Sequence, residues 1–105
     1  MQNAQAILFK IHGFLDQLID IAASLEKLSK EMASEEEINS LQEEQENIIA
    51  ALMQLDADLI HDYPEVAKED SKERKAIHQK MEIFQKLNRN FIENLERGSG
   101  IIQFD

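Results

Sequence analysis

The chain has 105 residues, 43% of them apolar and only 6% aromatic, and a formal net charge of -10 from 21 Asp and Glu against 11 Lys and Arg. One domain is the default at this length, and its apolar content is too high for a disordered acidic tail. Three Gly and one Pro leave a many-stranded sheet little to turn on, zero Cys excludes disulfides and thiolate sites, and the acidic balance argues against a phosphate-backbone partner.

The charge is unevenly placed. Residues 1–33 carry four acids and three bases, residues 34–62 nine acids and no base, and residues 63–105 eight of each. A segment of that kind is either a solvated helix face or a docking face for a basic surface. The opening stretch is apolar, but Lys10, His12, Asp16 and Asp20 interrupt it. It lacks the pattern of a secretory leader and the unbroken length of a membrane span. The expectation is cytoplasmic residence without membrane insertion.

The first helix is predicted over 4–32. Ile7, Ile11, Phe14, Leu18, Ile21, Leu25, Leu28 and Met32 alternate in steps of four and three. A second row, Ala4, Leu8, Ile11, Leu15, Leu18, Ala22 and Leu25, keeps the same rhythm. Two adjacent rows make an apolar face too broad for a two-stranded seam, so this helix should pack against at least two others. Gly13 lies inside it, either for a close helix approach or simply tolerated.

The second helix is predicted over 35–61. Ser34 with Glu37 reads as a capping box, and Glu35, Glu36 and Glu37 suit the positive end of the dipole. Its seam runs Ile38, Leu41, Gln45, Ile48, Leu52, Leu55, Leu59, with Gln45 the one polar member. Pro64 disfavours helix at Tyr63, so 62–71 is predicted as a connector, although Pro64 also suits a first helical turn.

The third helix is predicted over 71–97, capped by Asp70 or Ser71 with Glu73 as box partner. Its stripe is Ile77, Met81, Phe84, Leu87, Phe91 and Leu95. Gly98 is a C-terminal stop, leaving a tail, 98–105, with apolar Ile101, Ile102 and Phe104. That tail either folds back or serves as an exposed docking peptide. The fold class that results is all-α: an antiparallel bundle of three long amphipathic helices in one domain, 1–105.

Little in the sequence builds a catalytic centre. Asp56, Asp58, His61 and Asp62 are close together, but their spacing matches neither a di-iron bundle nor a calcium loop, and a solvated helix end accounts for them. His12 and His78 stand alone and read as helix-flank residues. Ser34 reads as a cap, and Ser99 lacks the Lys and following helix of a phosphate loop. No catalytic residue, metal or cofactor is expected. Asn88, Asn90 and Asn94 are unusual in a helix, and read either as tolerated surface residues or as amides that bond across helices or to an incoming one.

Three stretches, LDQLIDIAASLEKL, EEINSLQEEQENIIAALMQLDADL and MEIFQKLNRNFIENLERG, together resemble the small export chaperones of bacterial flagellar and related type III secretion systems, the FlgN and FliT type. The resemblance spans about residues 7–98. It implies a cytoplasmic, non-enzymatic chaperone that holds an amphipathic helical segment of a secreted subunit in an apolar inter-helix groove. The residues expected to bind are Phe84, Leu87, Asn88, Phe91 and Leu95, with Ile101, Ile102 and Phe104 as a cover, and the groove is expected on the first and third helices. The alternatives are a structural coiled coil that self-assembles, as a homodimer or with a fixed helical partner, and a metal-binding bundle through Asp56, Asp58, His61 and Asp62.

Overall fold

A computed structural model describes residues 3–31, 33–68 and 71–103, with side chains to residue 96. The described residues are all-α. Three long helices, α1 (Ala4–Lys30), α2 (Glu35–Asp62) and α4 (Lys72–Gln103), are joined by short segments that include a five-residue helix, α3 (Pro64–Lys68).

Side-chain caps fix the starts. Asn3 Oδ1 accepts the Ala6 N–H at 2.8 Å, Ser34 Oγ accepts the Glu37 N–H at 3.2 Å, and Ser71 Oγ accepts the Arg74 N–H at 3.3 Å. Each bond satisfies a donor that has no partner inside its helix. With Ser71 as the cap of α4, Glu73 falls one position short of the box position expected for it. At the end of α1 the Ala33 N–H closes back onto the Leu28 carbonyl at 3.3 Å, the wide bond of a helix stop.

Two boundaries differ from expectation. Pro64 opens α3 instead of lying in a connector. Tyr63 leaves helical geometry at φ -136°, caps α2 by donating its N–H to the Leu59 carbonyl, and its own carbonyl accepts the Ala67 N–H. The chain therefore re-enters helix at once, and Pro lacks only the N–H that a first turn would leave unpaired. The second difference is that α4 does not stop at Arg97 but continues to Gln103. Unlike Pro, Gly98 and Gly100 keep their N–H groups, so each weakens a helix by about 1 kcal/mol without breaking its ladder.

The core is built around α1. Ile7, Leu8, Ile11, Leu15, Leu18 and Ala22 are buried with Leu55 and Leu59 of α2 and Phe84 of α4. These α1 residues are chiefly the second apolar row; Phe14, Ile21 and Leu28 of the first are half-buried. Burial on this scale contributes about 1.5–3 kcal/mol per large aliphatic side chain. As the broad face requires, α1 packs against both α2 and α4, whereas the backbones of α2 and α4 keep apart.

The directions follow from side-chain neighbours. Gln17, Asp20 and Ile21 share a shallow depression with Glu44, Asn47 and Ile48, and Leu28 shares one with Glu36, Glu37 and Leu41. As α1 advances α2 retreats, so this pair is antiparallel. Across α1 and α4, Lys80 meets His12 and Asn94 meets Ser29, at separations of 68 and 65 residues. A nearly constant offset means that α1 and α4 run the same way. The antiparallel relation expected from the short first connection thus holds for α1 with α2, and the third long helix, α4, runs parallel to α1.

Candidate functional site: an apolar groove on α1

Because α2 and α4 flank α1 without closing on each other, a groove of about 390 Å³ opens between them. Its floor is Leu8, Ile11, Leu15 and Leu18 of α1. Ile49, Leu52, Met53 and Leu59 of α2 form one wall, and Ile77, Met81 and Phe84 of α4 form the other. Asp56 stands on the α2 side, and Arg74 and His78 on the α4 side. The heptad rhythm of α1 supplies the floor, since residues three and four apart stack on one face. Between Leu8 and Leu18 the groove runs about 15 Å, just under three helical turns. Met53 is 68% exposed, so its thioether lies open to solvent.

A polar cluster lies between α1 and α4. Lys80 Nζ is 2.9 Å from Asp16 Oδ1 and 3.2 Å from His12 Nδ1. A charged ammonium has only donors, so Nδ1 of His12 is the acceptor. Lys80 stands three residues after Ile77 and four before Phe84, within the apolar face; that position was the signal in the sequence. Further along, Asn94 Nδ2 donates to Ser29 Oγ at 3.0 Å, and Ser29 donates to the Glu26 carbonyl at 2.6 Å. Of the three asparagines, Asn94 therefore makes the cross-helix bond.

The remaining candidates are spread along α4. Phe84 is buried and lines the groove. Leu87 is half-buried against the core, and Asn88 is half-buried. Phe91 is 2% exposed, a core residue beyond the end of the groove, and Leu95 is 36% exposed. Ile101 and Ile102 belong to the end of α4, with side chains outside the described residues; Phe104 lies outside them altogether. A continuous helix places residue 101 about 25 Å along the axis from Phe84, so a fold-back of this segment over the groove is not the arrangement seen. The groove also takes a whole wall from α2, which the sequence expectation left out.

At the end of α2, Gln54 donates to Asp58 at 2.9 Å and His61 Nδ1 lies 2.8 Å from Asp62 Oδ1. The Asp62 carboxylate, through its hydrogen bond and then its charge, raises the His61 pKa above the ordinary 6.5, with Asp58 adding to the effect. Among the described residues no three His, Asp or Glu side chains are grouped as a metal-ligand set, and no helix is long and apolar enough to cross a membrane.

Comparison with known proteins gives no match: no family model, no curated protein and no solved structure is similar to this chain.

Proposed function

We propose that this chain is a non-enzymatic, cytoplasmic protein-binding module, an export chaperone of the flagellar and type III secretion kind. Its three long helices act as one bundle domain, and the groove on α1 takes the apolar face of a helical segment of a secreted or filament subunit. The supporting observation is the groove itself: its floor and walls are aliphatic and aromatic apart from three polar residues. Helices dock into such grooves through residues at i, i+3, i+4 and i+7, and a length of just under three turns accommodates three or four of them. Sequestering that face keeps a subunit from assembling early.

The test is capture of secreted filament or cap subunits by the tagged chain, set beside the same chain carrying Met53→Lys. Because Met53 is largely exposed, the substitution leaves the fold intact and places a charge on the groove wall. A secreted subunit retained by the unaltered chain and lost from the variant supports the reading; equal retention overturns it.

The second reading is a self-assembling coiled-coil subunit. Ile92 and Leu95 favour it, being exposed and one turn apart on α4. Light scattering across a hundredfold concentration range separates the two: a tight self-assembly stays dimeric or larger across that range, and a monomeric binding module does not.

A further inference from the structure

We infer that the groove selects a charge-striped helix, basic along one edge of its apolar face and acidic along the other, and that these stripes set the direction in which the helix lies. The inference rests on the groove being the binding site. Its ground is the opposite charge of the two residues Asp56 and Arg74 that face each other across the groove lining. α2 contributes nine Asp and Glu and no Lys or Arg, and the one that lines the groove is Asp56. On the α4 side Arg74 lines the groove, beside His78, whose Nε2 lies 3.4 Å from Glu82 Oε1. Asp56 and Arg74 are the charged residues that line the groove itself, one on each side, and both are exposed.

A helix lying over the buried floor, between Ile49, Leu52 and Met53 of α2 and Ile77 and Met81 of α4, has one edge beside α2 and the other beside α4. Lys or Arg along the first edge meets Asp56, and Asp or Glu along the second meets Arg74. Turning the helix end for end exchanges its edges. A striped occupant therefore matches the walls in only one direction, and exchanging its stripes reverses that direction. The two ends of the groove are distinguishable: Leu8, Leu59 and Arg74 lie at one, Leu18, Ile49 and Phe84 at the other.

Three synthetic 21-residue helices of identical composition test this. All carry Leu at the a and d positions of a heptad. One has Lys at e and Glu at g, the second exchanges them, and the third mixes both charges on each edge. A spin label on the N-terminus of each peptide broadens the methyl signals of whichever groove end it approaches. The expected result is tight binding of both striped peptides with the label at opposite ends. The mixed peptide should bind about threefold to tenfold more weakly, from one or two lost exposed ion pairs. The difference should fade near 1 M salt, where screening acts within about 3 Å.

Binding of all three with equal affinity and no fixed direction overturns the charge inference and leaves the groove reading standing. Failure of all three to bind overturns both. If the methyl signals show the groove filled by a second copy of this chain, the occupant proposed here is likewise wrong. In Asp56→Arg/Arg74→Glu, each striped peptide should reverse its direction.

Discussion

Gly13 offers a clean test of how α1 is built. It lies in the middle of a 27-residue helix, is exposed, and a Cβ placed on it would meet nothing within 4 Å. A close helix approach at this position is therefore not what the packing shows, and Gly13→Ala adds a methyl group without steric penalty. The gain has two physical sources. Ala restricts the unfolded chain, and it removes the low helix propensity of Gly, which together amount to about 0.5–1 kcal/mol. No apolar burial adds to this, because the methyl group points into open space. With the usual urea dependence of about 1–3 kcal/mol per molar, the midpoint of unfolding should rise by about 0.2–1 M at unchanged slope. A thermal melt should shift upward by about 2–5 °C for a chain of this size. Circular dichroism at 222 nm follows both transitions. A midpoint that stays put or falls would refute the reasoning, because it would mean that α1 needs a glycine here for a bend or contact absent from this packing. An altered slope would point instead to a changed denatured state.

Three further outcomes follow from local contacts. Gln45 Oε1 is buried without a hydrogen-bond partner, so Gln45→Leu should raise stability by about 1 kcal/mol in urea titrations, and a loss would show that the amide is satisfied in solution. Asn94→Ala removes the bond to Ser29 and should cost about 1 kcal/mol, with Ser29→Ala/Asn94→Ala costing less than the sum of the single changes, as a double-mutant cycle would show. His61 should titrate above pH 6.5 by proton NMR and return towards 6.5 in Asp62→Asn. Because its folded pKa is raised, its pairing contributes in full below pH 6.5 and is lost as the pH rises through the folded value.

The broad apolar face of α1, the seam of α2 and the Ser34 cap were all legible in the sequence, because each is written in spacing within one helix. Gln45 stood out in the same way, as the single polar member of an apolar row. The relation between helices was not legible. Periodicity says which face of α2 is apolar; it does not say that α2 and α4 will stand apart on α1. Ile49, Leu52 and Met53 become a groove wall only through that gap. Pro64 was ambiguous on local grounds, since a connector and a first helical turn both tolerate it, and the position of Tyr63 decided between them. Gly98 suits a helix stop because glycine often ends helices, but it does not prevent one from continuing, and α4 runs on to Gln103. Lys80 is marked by its place on the apolar stripe, but its partners Asp16 and His12 follow only from the packing of α4 on α1.

The placement of α1 makes the molecule a hub with two spokes. Energetic coupling between substitutions needs a shared partner, and α2 and α4 meet chiefly through α1. Changes confined to the outer faces of α2 and of α4 should therefore combine additively, each blind to the other. A change on the groove floor is different in kind. Ile11, Leu15 and Leu18 belong to both spokes at once, so sequence drift there is constrained twice, while either wall is free to vary against a fixed floor.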